Sequence, residues 1–271
     1  MSIRIHTLQT GTVQLRPRQV HGEGGATRPL RTMLDRRWTE PLPIYAWLVE
    51  HPEGAILVDT GETARVMESG YFPPWHLYFR FAIRMSVTPA DELGPRLEEL
   101  GVAASDIRVV VLTHLHTDHA GGLGHVADRD VLVSRRELEL AQGFAGKVRG
   151  YLPHRWPEGL RFEPVDFEER PYGPFPHSRP LTEAGDVHMV ATPGHTPGHA
   201  SVVVEDGDRR VVLAGDASYT ERAMLDGVID GVSPDANQAA DTLRRMRELV
   251  AEGPAVYLPS HDPEAPARLS A

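Results

Sequence analysis

His114-Leu115-His116-Thr117-Asp118-His119 puts three imidazoles and a carboxylate into six residues, directly after the apolar run of residues 107–112. A single histidine at a strand end is ordinarily a hydrogen-bonded polar residue. Three with an aspartate leave many ring nitrogens needing partners, and a buried polar atom without one is costly. A metal ion satisfies them. Alternate residues of an extended segment point the same way, so His114 and His116 can converge on one ion. The chain then turns at Asp118 and His119, which can aim at a second ion nearby. Ala120-Gly121-Gly122 gives the backbone room for that turn and for entry into a helix. Imidazole and carboxylate together form a borderline-hard donor set, suited to zinc and its neighbours.

More donors stand downstream, each after an apolar run. Val187–Ala191 leads into Thr192-Pro193-Gly194-His195-Thr196-Pro197-Gly198-His199. Residues 211–214 lead into Gly215-Asp216, and residues 255–258 into Pro259-Ser260-His261-Asp262. Donors gathered from several strand ends describe an open α/β site, whose ligands lie outside the carboxyl ends of strands. The repeated Pro-Gly-His makes His195 and His199 rivals. The chain has no cysteine, which excludes disulfides and thiolate zinc sites and leaves histidine and carboxylate as the metal-binding chemistry.

The order HxHxDH, then His, then Asp, then His closely resembles the metallo-β-lactamase-fold hydrolases over nearly the whole chain. Ile56-Leu57-Val58-Asp59-Thr60-Gly61 resembles the first motif of that superfamily. The resemblance implies an α/β protein built as an αββα sandwich, with the metals at one edge between two sheets. Carried over residue by residue, it assigns His114, His116 and His195 to one ion and Asp118, His119 and His261 to the other, bridged by Asp216. It gives Asp59 the task of orienting a ligand histidine. It uses His195 and leaves His199 as a hydrogen-bonding residue at a strand start. A narrower resemblance follows the bridging aspartate. Asp216-Ala217-Ser218-Tyr219-Thr220 resembles the N-acyl-homoserine lactone lactonases, in which a tyrosine three residues after that aspartate leans over the metals; Tyr219 stands there. Thr117 departs from the bulkier aromatic found in some of them.

The chain organises as two βαβ-like halves. The first holds strands at Arg4–Leu15, residues 44–50 and Ala55–Val58, then a helix near residues 91–100, and ends with the histidine-rich turn. The second runs from about residue 130 to 261, with helices at Arg135–Gln142 and residues 234–251. Its strands fall at Val187–Ala191 and at residues 200–205, 211–214 and 255–258. No linker divides them, so residues 1–271 read as one domain, which is long enough for a large core. Residues 65–88 and 143–180 fit neither half and read as insertions. The first carries Tyr71, Phe72, Trp75, His76, Tyr78 and Phe79, which suit an acyl-chain wall or lid, or else a homodimer face or core packing. A loop at residues 22–29, ahead of Leu30 and Met33, reads as a further pocket border. Met33, Trp75 and Phe79 are the expected pocket residues, and His76 a possible substrate contact. His6, His21, His51, His125, His154, His177 and His188 read as structural.

The resemblance implies hydrolysis of the N-acyl homoserine lactone ring by a hydroxide bridging two divalent metals, by default Zn, with Fe, Mn or Co fitting similar ligands. Tyr219 would donate to the developing oxyanion, and Asp118 would carry the proton to the leaving oxygen. Two other classes compete. Another dinuclear hydrolase of this fold, a thioesterase of the glyoxalase II type or a phosphodiesterase, calls for a basic cluster, and none is recognisable in the terminal part. A non-catalytic metal-bound sensor has no use for Tyr219. A formal charge of −10 argues against a nucleic-acid partner, while the near-exclusive use of arginine, with Lys147 the single lysine, reads as genome bias. No apolar run is long enough to span a bilayer and no secretory leader is visible, so a cytoplasmic location without a membrane partner is expected.

Overall fold

The computed structural model describes residues 3–22, 25–167 and 169–271, with only the backbone of Ala26. Its strands are β1 (Arg4–Leu15), β2 (Leu42–Glu50), β3 (Ala55–Val58), β4 (Ile83–Ser86), β5 (Ile107–Val111), β6 (Asp130–Ser134), β7 (Arg161–Val165), β8 (Ser178–Pro180), β9 (Val187–Ala191), β10 (Ala200–Asp206), β11 (Arg209–Gly215) and β12 (Ala255–Pro259). The helices are α1 (Pro17–His21), α2 (Arg28–Leu34), α3 (Leu77–Phe81), α4 (Leu93–Glu99), α5 (Thr117–Ala120), α6 (Arg135–Gln142), α7 (Phe144–Val148), α8 (Glu221–Asp226), α9 (Ala236–Ala251) and α10 (Ala265–Ser270). A seven-stranded sheet runs in the order β4-β1-β2-β3-β5-β6-β7, and a five-stranded sheet in the order β12-β11-β10-β9-β8.

Both sheets are covered on both faces, and the strand sequences show it. β2 is buried throughout its interior, as expected of a strand with no wet side. Along β10, Ala200, Val202 and Val204 face the other sheet, where they meet Trp47, Val58, Val111 and Leu132, while Val203 points outward to Leu243 and Met246. The outer face of the first sheet packs Leu48, Leu57, Val110 and Val131 against Leu93, Leu97 and Leu138 of α4 and α6. Layer order is therefore helix, sheet, sheet, helix. The α9 helix begins where the Asp235 carboxylate accepts from the backbone N–H groups of Asn237 and Gln238, and it buries Ala239, Thr242, Leu243, Met246 and Leu249 on one face.

The fold corrects the expected division of the chain. β6 lies beyond residue 130 yet pairs in parallel with β5, and β7 follows in parallel, so both belong to the first sheet. The change of sheet comes between β7 and β8. Residues 143–180 are thus a crossover that supplies the edge strand of each sheet, in place of an insertion. Residues 65–88 end in β4, which pairs antiparallel with β1 at the far edge of the seven-stranded sheet. β4 and β7 alternate as strands do, but over only four and five residues, too short a run to stand out within these stretches. Residues 22–29, expected as a loop, hold a 3₁₀ turn at Gly25–Thr27 and the start of α2; residues 23 and 24 lie outside the described residues. Among the described residues, no helix is long and apolar enough to cross a membrane.

Candidate metal centre and substrate pocket

The donors converge where strands end. β5 delivers the loop carrying His114 and His116, and α5 starts at Thr117 with Asp118 and His119 in its first turn. His195 follows β9, Asp216 follows β11 and His261 follows β12. Gly122 permits the turn: a Cβ there would stand 2.2 Å from the Thr60 carbonyl oxygen. Gly215, at φ 56°, lets β11 end in a left-handed step that a side chain would drive into His199 and Thr113.

Two overlapping groups of donors result. Nε2 of His114 and Nε2 of His195 each lie 3.1 Å from Nδ1 of His116. Ligands about 2.0–2.1 Å from a tetrahedral ion stand roughly 3.3 Å apart, so this spacing suits a shared cation. His261 Nε2 lies 3.4 Å from both Asp118 Oδ2 and Asp216 Oδ1, and His119 Nε2 lies 3.3 Å from Asp216 Oδ1. Asp216 Oδ2 reaches toward the first group, 3.5 Å from His195 Nε2. His119 Nε2 and Asp216 Oδ1 are fully buried with no hydrogen-bond partner. Buried polar atoms that face one another without bonds form a set of donors that a cation would satisfy.

Electrostatics point the same way. Burial lowers the pKa of His114, and lowers that of His116 to about 3, with neighbouring imidazoles adding to the effect. Burial acts against charge at His119 and His261 too, but Asp216 and Asp118 outweigh it; His119 rises well above the usual range and His261 to about 10. The carboxylates respond in kind: against burial, the imidazoles hold Asp118 down at about 2 and Asp216 well below the ordinary range. The carboxylates thus favour positive charge at this centre, while burial keeps His114 and His116 neutral, the form that offers a lone pair to a cation.

A layer of hydrogen bonds aims the donors. Asp59 accepts from the Thr113 backbone N–H at 2.8 Å and meets His119 Nδ1 at 2.8 Å, which turns Nε2 toward the carboxylates. Its φ of 61° is unusual for a residue with a side chain, a strained backbone held by those bonds. His261 Nδ1 donates to the Pro43 carbonyl at 2.8 Å. His199 sits outside the donor groups: its Nε2 accepts from the Asp216 N–H at 3.0 Å and its Nδ1 meets Thr192 Oγ1 at 2.8 Å.

Several participants escaped the sequence reading. Asp230 stands behind His195, 3.2 Å from Nδ1, and is itself fixed by the Val232 and Ser233 backbone N–H groups. Glu137, fully buried on α6, accepts from Leu115 N–H and Tyr151 O–H with one oxygen and from Thr196 O–H and Gly198 N–H with the other. It thereby braces the HxHxDH loop against the Pro-Gly-His loop. Thr117, in place of a bulkier aromatic, donates to the buried Glu62 carboxylate at 2.8 Å. The side-chain partners are 14 to 61 positions apart, so no local pattern announces them.

A cavity of about 310 Å³ opens over His116, Asp118, His195 and Asp216. Tyr219 lines it, 3 % exposed, its ring stacked on His261 at 5.6 Å and its hydroxyl accepting from Gln19 Nε2 at 2.7 Å. Phe79 and His76 line it too, but Met33 and Trp75 do not. Trp75 is 56 % exposed: α3 turns Phe79 inward, and the residue four positions earlier, before the helix starts, faces out. Its expected place in the pocket wall is corrected accordingly.

A sequence model of the metallo-beta-lactamase superfamily matches residues 39–261. The chain belongs to that superfamily. Among its relatives, an N-acyl homoserine lactonase of Bacillus thuringiensis is 31% identical over 229 residues, 82% of each chain. A probable metallo-hydrolase of Mycobacterium tuberculosis is 35% identical over 184 residues, 66% of this chain and 58% of that one. A solved structure of a Bacillus thuringiensis AiiA variant with N-decanoyl-L-homoserine bound at its active site superposes with a TM-score of 0.78 at 24% identity, over 98% of this chain and 96% of that chain. That last likeness speaks for the fold.

Proposed function

We propose that the protein is a metal-dependent hydrolase that opens the ring of N-acyl homoserine lactones, with two divalent ions, zinc by default, held by His114, His116 and His195 and by Asp118, His119 and His261, and with Asp216 shared. The observation that carries the reading is the placement of Tyr219: a buried phenol against the rings of His195 and His261, facing the cavity over the donor groups, in a relative of named lactonases. When bound, the ions would supply Lewis acidity and a hydrolytic nucleophile at neutral pH.

The chain's own residues do the rest. Tyr219 accepts its structural hydrogen bond from Gln19, so its proton is free for the oxygen that gains charge as the ring carbonyl is attacked. Burial pushes that phenol well above its ordinary pKa, so it remains a donor. Asp118 is a donor-group residue that also lines the cavity, the right position to hold a proton and pass it to the leaving ring oxygen. Asp59, Asp230 and the Pro43 carbonyl fix three of the imidazoles. Leu15, Phe79, Ile83 and Val148 give the cavity an apolar wall for an acyl chain. The test is turnover of N-hexanoyl-L-homoserine lactone by metal-loaded protein beside the Asp216→Asn variant. Ring opening by the first and little by the second supports the reading; no lactone turnover by fully loaded protein removes it.

A further inference from the structure

Gln19, on α1 and 1 % exposed, holds two phenols with one amide. Its Nε2 lies 2.7 Å from the Tyr219 hydroxyl and 2.8 Å from the Tyr78 hydroxyl. An amide nitrogen carries two hydrogens, so each phenol oxygen can accept one and keep its own proton. The Tyr78 proton has a resting place at Gln19 Oε1, 3.1 Å away, in a contact longer than the one from Nε2. Both phenols line the cavity over His116 and His195, beside the apolar side chains of Leu15, Phe79 and Ile83. A polar island in an apolar wall earns its desolvation only if something polar meets it.

The spacing narrows what that is. Two oxygens bonded to one nitrogen at these lengths, with hydrogens about 120° apart, stand roughly 4.8 Å from each other. An N-acyl homoserine lactone carries two carbonyl oxygens, one on the ring and one on the amide, joined through the ring α-carbon and the amide nitrogen. Standard bond lengths put them roughly 4–5 Å apart in an open arrangement. We infer that Tyr78 donates to the amide carbonyl while Tyr219 serves the ring carbonyl, and that Gln19 is the positioning residue that presents both protons. Tyr78 then selects lactones carrying an α-amide over plain alkyl lactones. This inference rests on the lactonase reading above.

The test compares N-hexanoyl-L-homoserine lactone with γ-decalactone, which lacks the amide, on the metal-loaded enzyme. Tyr78→Phe is expected to lower kcat/KM on the first by about threefold to tenfold, mainly through KM, and to leave the second unchanged. Gln19→Met is expected to lower kcat on both, with no further effect on γ-decalactone once Tyr219→Phe is present, since both changes remove the same presented proton. A substrate-side control on wild-type enzyme does not depend on a variant folding: an α-alkyl-γ-butyrolactone of the same chain length, which carries no amide, should show a kcat/KM lower by a similar factor. Equal losses on both lactones, or no loss on either, would overturn the role of Tyr78 while leaving the lactonase reading standing. Wild-type enzyme inactive on both lactones would overturn the reading and this assignment together.

Discussion

Tyr219 and Asp230 both stand beside His195 but do different work, and should fail differently. Tyr219→Phe keeps the ring stacked on His261 and removes only the hydroxyl, so metal content should be unchanged. Turnover on acyl-homoserine lactones should drop by about tenfold to a thousandfold, mostly in kcat, the range for losing one oxyanion donor. Asp230→Asn removes the negative charge behind His195 and should weaken metal affinity by about 10- to 100-fold, measured by chelator competition. A Tyr219→Phe protein that loses metal, or an Asp230→Asn protein that binds it normally, would exchange the two roles. Tyr219 could be singled out in the sequence because it lies three residues from Asp216. Asp230 and Gln19 could not: one is 35 positions from its histidine, the other 200 from its tyrosine, and only the fold joins them.

The segment around α3 is half wall and half surface, which its aromatic run could not reveal. Residue composition marks the run as apolar, but the backbone's path into α3 decides which ring turns inward. Phe79 lines the cavity and stacks on Phe72 at 4.2 Å, whereas Trp75 points outward. Phe79→Ala should penalise long acyl chains more than short ones and cost about 3–5 kcal/mol of stability. Trp75→Ala should leave the chain-length profile flat; a changed profile would put the indole back in the wall. At α6, Glu137→Ala leaves four buried or nearly buried donors without an acceptor, from Leu115, Tyr151, Thr196 and Gly198. That loss should cost at least about 3 kcal/mol by urea unfolding and loosen both histidine loops at once. Helix formation at 135–142 was legible from sequence, but the burial of a glutamate in its first turn was not.

Across the whole molecule, the strand ends that carry donors were legible because each apolar run stops at a polar motif. The pairing of β6 and β7 with the first sheet was not, since parallel partners leave no local signature. The same assembly fixes the response to pH. In metal-free protein the stabilising charge of His261, raised to about 10, is complete below its ordinary value of 6.5 and disappears as pH climbs through about 10. Asp118, lowered to about 2, contributes above its ordinary value of 3.8 and loses that contribution as pH falls through about 2. Chelated protein should therefore melt at progressively lower temperature from about pH 6.5 to pH 10. Metal-loaded protein should resist that loss, because metal competes with protons for the same nitrogens and binds more tightly as pH rises. Chelation should leave secondary structure in place by circular dichroism, since the three hydrophobic layers do not involve the ligands.

The central claim is that this metal centre opens a lactone. It is tested most directly by proton release in a pH-stat from metal-loaded protein given, in parallel, N-hexanoyl-L-homoserine lactone, a glutathione thioester and a phosphodiester. The account predicts one proton per N-hexanoyl-homoserine formed, at a rate well above that on either alternative. Turnover of the thioester or the phosphodiester well above the lactone would contradict it.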